Sequence, residues 1–302
     1  MQSETHPAVP KDAHTSRAQI ADASDDSAGR QGVESPADGP PRPRWKHPAL
    51  MIPLRLLLLG AIVFALLSMT SLTERLVYFP SRGTPPPPPE FAADEVYFAA
   101  DDGKRLHGWF IPAKLQPHTQ DTGSSGSAAA ARPGTVVMLH GNAGNISHHL
   151  AFVEFLPRAG FNLFIWDYRG YGNSERGKLR REFLMKDARA AIRAVRNRPE
   201  VDPAKIALYN HSLGNMFGTT LLAEDPELRG AVSVSPFASL PDAAASVVSP
   251  NDPPGRFARW VGRMLLGHGL DPIESITRLH PHQSVLLVHG EDDSVVPFSH
   301  GE

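Results

Sequence analysis

The chain has 302 residues, 41% of them apolar and 21% charged, a balance that suits one sizeable globular domain with appendages. A formal net charge of −2 and a pI near 6.7 leave no basic surplus for nucleic-acid phosphates, so that class of partner is not expected. The absence of cysteine excludes disulfides, thiolate nucleophiles and cysteine-based zinc sites.

Residues 1–47 mix Ser, Asp, Pro, Gly and Ala with charges of both signs and hold one aromatic, Trp45. Too little apolar surface is present to offset the entropy of ordering, so a disordered cytoplasmic tail is expected. Leu56 to Leu72 is an uncharged apolar run, extendable back past Arg55 to residue 50 because an arginine stem can snorkel to the interface. A spanning helix needs about 17 to 25 residues, so 50–72 reads as a transmembrane anchor. A cleaved signal and a buried core helix are the rival readings, and Met51 is an alternative start that would bring the run to the N-terminus. Arg42, Arg44, Lys46 and Arg55 precede the run, against Glu74, Arg75 and Arg82 after it. By the positive-inside rule the N-terminus is then cytoplasmic, and the rest lies on the periplasmic or another extracytoplasmic side. Pro85 to Pro89 predict a stiff spacer within a proline-rich linker at 80–90, with the globular domain over 91–302.

Within that domain, 95–99 and 104–112 read as strands joined by an Asp-Asp-Gly turn. Strands follow at 135–139, 162–166, 206–209, 231–235 and 285–288, separated by helices at 147–158, 182–197 and 213–223. An initial hairpin followed by strand and helix in alternation predicts an α/β architecture, a mainly parallel, doubly wound sheet. Residues 237–283 break the alternation with a Pro- and Gly-rich segment holding Trp260, Val261, Met264 and Leu265, which is long for a plain connection and reads as a small cap.

Three loops leave the carboxyl ends of predicted strands, the edge where open α/β sheets bind ligands. In Tyr209 to Asn215, Y-N-H-S-L-G-N, the strand stops on Ser212 and restarts as a helix, as in a nucleophile elbow, with the Leu213 N–H as one oxyanion donor. Asn210 departs from the G-x-S-x-G pattern and is expected to crowd or polarise the turn. His140 to Asn145, H-G-N-A-G-N, has the glycines that let a backbone amide face an oxyanion. His289 to Pro297, H-G-E-D-D-S-V-V-P, offers an aspartate that can reach back to orient an imidazole. Although the chain has 14 histidines, no H-E-x-x-H or comparable ligand spacing occurs, so neither metal nor cofactor is expected.

With L-H-G-N-A-G-N-I-S-H at 139–148, W-D-Y-R-G-Y-G-N-S at 166–174, the elbow, and H-G-E-D-D-S-V-V-P-F-S-H-G at 289–301, the chain resembles the α/β-hydrolase superfamily. In particular it is similar to single-pass, membrane-anchored serine hydrolases of the bud-emergence type, which include eukaryotic protein depalmitoylases. The resemblance covers about residues 70–302 and implies the α/β-hydrolase fold. It further implies Ser212 as nucleophile, Asp293 rather than Asp292 as the triad acid, and the N–H groups of Asn142 and Leu213 as the oxyanion hole. Asp167 and Tyr168 match a structural strand-end motif.

In this fold the order is Ser, acid, His. After Asp293 only His300 remains, at a family helix start that does not carry the base. His211 reads as a pocket or surface residue pointing away along the elbow, His140 and His289 as loop residues, and His148, His149, His280 and His282 as solvated. The expectation is a membrane-anchored serine hydrolase of an ester, thioester or amide, with a small-molecule, lipid or acyl substrate, whose C-terminal elements are missing and which is inactive as these 302 residues. The alternative is a catalytically dead pseudo-hydrolase acting as a tethered binding domain. Oligomeric state and substrate-binding residues are not legible.

Overall fold

The computed structural model describes residues 48–69, 77–114, 132–248, 254–266 and 269–302. The chain divides into two units, Met1–Arg55 and Leu56–Glu302. The tail expected at 1–47 lies outside the described residues. Helix α1 covers Pro48–Met69, 22 residues. At about 1.5 Å per residue that is roughly 33 Å of helix. Its side chains are described from Met51 to Val63, and there Ile52, Leu54, Leu56, Leu57, Leu58, Leu59, Ile62 and Val63 are all exposed. Among the described residues no helix is long and apolar enough to cross a membrane. The span expected at 50–72 is therefore not shown, and its last turns lie outside the described side chains.

The prolines do not form a spacer ahead of the domain. Tyr78 is buried in the core, and β1 (Phe79–Pro80) pairs in parallel with β5 (Ala143–Gly144). Thr84 Oγ1 donates to the buried Asp167 carboxylate at 2.9 Å. Phe91, beyond the prolines, is buried again. The domain thus begins by Val77, and 80–90 is held at both ends.

Strands β2 (Asp94–Ala99) and β3 (Arg105–Ile111) form the expected antiparallel hairpin. They join β4 (Thr135–Leu139), β6 (Asn162–Asp167), β7 (Ile206–His211), β8 (Gly230–Val234) and β9 (Ser284–Val288) in one seven-stranded sheet, ordered β2-β3-β6-β4-β7-β8-β9. From β6 to β9 all pairings are parallel. Alternate residues of the central strands point to opposite faces. Val137, Leu139, Phe164 and Trp166 enter one core, and Val136, Met138, Leu163 and Ile165 the other. Burial on both faces explains why these strands read as unbroken apolar runs. At the edge, β9 leaves Leu286, Leu287 and Val288 exposed.

The stretch expected as a helix over 147–158 is helical only at its start, as α2 (Ile146–His149). It then tightens into a 3-10 turn at Leu150–Phe152. Leu150, Val153 and Leu156 are buried at a spacing of three, the repeat of a 3-10 turn, and this brings all three onto one face. Helix α3 (Arg181–Arg196) buries Leu184, Ala188, Ala191, Ile192 and Val195, recurring at helical spacing, and also Asp187, while Phe183 is half-buried. Helix α4 (Gly214–Glu224) follows the elbow. Within 237–283 lie α5 (Leu240–Val248), α6 (Arg256–Leu266) and the short α7 (Pro272–Ser275). The register places Leu139 beside Asn210, His211 beside Val234, and Val234 beside Val288. Four strands therefore end at one level, and the loops that carry the expected site leave from the same edge.

Candidate active site

Ser212 sits on the turn between β7 and α4 with φ of 48°, a left-handed conformation that costs a serine energy and persists where its surroundings fix it. Those surroundings are specific. The Ser212 N–H donates to Val234 O at 3.0 Å. The buried Asn215 donates from Nδ2 to both Ser212 O, at 3.0 Å, and Val234 O, at 2.9 Å. Helix α4 can start this close to β4 only because residue 214 is glycine: a Cβ there would lie 2.0 Å from Leu139 O. Leu213 is the N-cap of α4, so its N–H has no partner within the helix.

Asn210 does not crowd the turn. Its side chain is fully buried in a slot opened by Gly218 of α4, where a Cβ would come within 1.8 Å of Asn210 Oδ1. Its Nδ2 reaches Ser233 Oγ at 3.4 Å, while Oδ1 has no partner. The missing elbow glycine is therefore matched by a glycine one turn along the helix.

Asn142 is clamped from several directions. Its carbonyl accepts from Tyr171 Oη at 2.7 Å, its Oδ1 accepts from the Phe79 N–H at 3.3 Å, and its Nδ2 donates to Val77 O. Burial raises the Tyr171 phenol well above its ordinary pKa, which keeps it a donor. Behind this loop Asp167 accepts from the Ile146 N–H at 3.0 Å and lies 3.6 Å from His140 and 3.7 Å from His107. Asp167 thus ties the end of the His140–Asn145 loop to the sheet, in keeping with a structural part.

Asp293 is half-buried, and its Oδ1 accepts from the N–H groups of Val295 and Val296, both at 2.9 Å. Burial alone would raise its pKa, but these two amides, Ser235 and the nearby His289 together hold it below the usual carboxylate range. Oδ2 lies 3.7 Å from His289 Nε2, which itself bonds Val296 O at 2.8 Å. Asp292 is exposed.

One cavity of about 350 Å³ joins these parts. Asn142, Ser212 and Leu213 meet in it, Val295 and Val296 bring the Asp293 loop to its wall, and most of the rest is apolar, with Leu240, Ala243, Val247 and Leu266 from α5 and α6. Among the described residues Ser212 Oγ has no hydrogen-bond partner. His300 bonds Ser246 Oγ at 2.9 Å and lines a different cavity.

One histidine differs from expectation. His149 is buried rather than solvated, and its Nε2 donates to Ala143 O at 2.8 Å. His211 is half-buried, stacked on Phe152 with centroids 4.4 Å apart and facing Gly141, where a Cβ would lie 2.9 Å from its Nδ1. Burial pushes both His140 and His211 down to about 4, against the pull of Asp167 on the first and Asp293 on the second. Unfolded, both protonate near 6.5, so between about 4 and 6.5 the unfolded chain binds more protons than the folded one. Stability is therefore expected to fall as pH drops through that window, and His140→Gln to flatten the dependence. A urea midpoint unchanged between about pH 7 and pH 4.5 would contradict this.

Asn215 and Tyr171 were not singled out by the sequence. Both act on backbone carbonyls distant along the chain or across a turn, which no local pattern encodes.

The sheet, the elbow and the loops at its carboxyl edge define a hydrolase of the α/β fold. The chain belongs to the family described as serine aminopeptidase, S33, whose model matches residues 130–280. The uncharacterized protein YfhR of Escherichia coli K12 is 32% identical over 258 residues, 83% of this chain and 80% of that protein. The alpha/beta hydrolase domain-containing protein WAV2 of Arabidopsis thaliana is 28% identical over 261 residues, 80% of this chain and 77% of that one. Among solved structures, the Pyrococcus furiosus esterase Pf2001 superposes with a TM-score of 0.56 at 19% identity, covering 74% of this chain and 80% of that one, a likeness of fold.

Proposed function

We propose that this protein is a serine hydrolase that cleaves an ester, thioester or amide of an acyl substrate through an acyl-enzyme formed on Ser212. The observation that carries this reading is the apolar cavity in which Ser212, Asn142 and Leu213 meet. Ser212 Oγ attacks the carbonyl carbon, and the carbonyl oxygen takes up charge between the Asn142 and Leu213 N–H groups. Donors of this kind are each worth about 2.7–4 kcal/mol in the transition state. The leaving group departs with a proton, and water then hydrolyses the acyl-serine. Asp293, its Oδ1 held by the Val295 and Val296 amides, is the carboxylate that would orient an imidazole.

Because no imidazole bonds Ser212 Oγ among the described residues, turnover by these 302 residues is expected to be low and open to rescue by a small external base. Added imidazole should accelerate hydrolysis of a p-nitrophenyl acyl ester by this chain beyond its effect in free solution. Ser212→Ala should remove that excess. Equal rates for the two proteins at every imidazole concentration would refute Ser212 as nucleophile.

The same reading places the chain at a membrane, with α1 as a single-pass tether, the N-terminus cytoplasmic and the hydrolase domain extracytoplasmic. The apolar side chains exposed on α1 support the tether, and the bias of Lys and Arg supports the orientation. Alkaline carbonate extraction should leave the chain in the membrane fraction, and its release would remove the tether from the account.

A further inference from the structure

We propose that α6 is a docking helix for an anionic phospholipid surface, set beside the mouth of the Ser212 cavity. This goes beyond the hydrolase reading and does not depend on Ser212 reacting. Helix α6 reads R-F-A-R-W-V-G-R-M-L-L, and its residues separate into stripes when wound at 3.6 per turn. Gly262 is its one buried residue and packs against α5, where a Cβ would lie 2.5 Å from Pro241 O. On the side away from that contact stand Phe257, Trp260 and Met264, exposed by 75%, 56% and 46%. The Phe257 and Trp260 rings stack with centroids 5.9 Å apart.

Arg256, Arg259 and Arg263, spaced by three and four, form a second stripe along one flank of the aromatic one. The helix carries no acidic residue. Among the described residues none of the three arginines forms an ion pair, and the Arg259 Nε donates only to Pro254 O, at 2.9 Å. Together with Trp260 they line a cleft of about 270 Å³. Positive charge without a counter-charge among the described residues calls for an anionic partner. An exposed aromatic stripe alongside it selects a partner with an apolar layer under its charges, which a lipid surface has and an acidic peptide in water lacks. Such a helix lies in the plane of the interface, rings down and guanidinium groups at headgroup level. Leu266, the last residue of α6, lines the Ser212 cavity, so docking would bring that opening to the depth where acyl chains begin.

The test uses the full chain reconstituted in vesicles whose phospholipids carry bromine on the acyl chains, a contact quencher of tryptophan. Trp109 and Trp166 are fully buried, so the Trp260 contribution is read as the difference between wild type and Trp260→Phe. In phosphatidylglycerol-rich vesicles wild type should be quenched distinctly more than Trp260→Phe. In pure phosphatidylcholine that difference should shrink several-fold. Arg256→Gln, Arg259→Gln and Arg263→Gln combined should reproduce the phosphatidylcholine result in the anionic vesicles, with an unchanged melting temperature showing that the fold is intact. Identical quenching of wild type and Trp260→Phe in anionic vesicles would overturn the proposal, as would quenching indifferent to both lipid charge and the arginines. So would a Trp260 left unquenched by lipid but shielded by an added acidic protein, which would assign the face to a protein partner.

Discussion

Replacing Asp187 with alanine is expected to destabilise the domain by about 3–5 kcal/mol, the cost of removing the buried partner of a buried charge. Arg169 is 2% exposed, and its guanidinium reaches Asp187 from Nε at 2.9 Å and from Nη2 at 2.6 Å. The Arg169 backbone N–H also donates to Asp187 Oδ2, at 3.0 Å, so one carboxylate of α3 fixes both the side chain and the turn after β6. Asp102 takes the outer edge of the same guanidinium at 2.7 Å, but is partly exposed. Asp102→Ala should therefore cost no more than about 1 kcal/mol, the range for solvent-screened pairs. Urea denaturation separates the two cases. If the loss at Asp187 arises from a stranded cation, then replacing Arg169 by Met and Asp187 by Leu together should recover much of it. A double variant as unstable as Asp187→Ala would show that the cost lies elsewhere. Because Arg169 lies two residues before Tyr171, loosening it should also loosen the clamp on Asn142.

Gly218→Ala is expected to destabilise the native protein by about 1–3 kcal/mol through overpacking, although alanine is the better helix former by about 1 kcal/mol. The new Cβ would fall 1.8 Å from Asn210 Oδ1 and 2.3 Å from its Cγ, and Asn210 is fully buried with nowhere to turn. In an Asn210→Gly background the clash is gone, so the same substitution should become neutral or stabilising. A double-mutant cycle on denaturation midpoints should then show a coupling of about 1–3 kcal/mol. Equal effects of Gly218→Ala in both backgrounds would mean that the slot is not shared. The cycle also bears on the elbow, since it treats Asn210 as half of a packed pair rather than as a defect in a motif.

The strands were legible because each is a short apolar run bounded by turn residues, and a strand buried on both faces needs nothing subtler. The elbow was legible for a similar reason: Ser212 stands where an apolar run gives way to a helical one. What was not legible rests on pairing between distant segments. Strand β1 has only two residues and exists through its partner β5, so the prolines after it looked like a spacer although Thr84 and Phe91 anchor both sides. Asp187 has no local signal that sets it apart from the other polar residues of α3, because its partner Arg169 lies on another element. Asn210 looked like a departure because its compensation, Gly218, lies on another element. His149 looked solvated because the chain after α2 tightens into a 3-10 turn, which turns its ring toward Ala143 instead of water.

The central claim, that Ser212 is the nucleophile of this site, is tested most directly by treating the chain with a fluorophosphonate and mapping the adduct by peptide mass spectrometry. The account predicts a phosphonyl adduct on Ser212, slow to form without added imidazole and faster with it, and no adduct in Ser212→Ala. Modification at another residue, or equal labelling of wild type and Ser212→Ala, would contradict it.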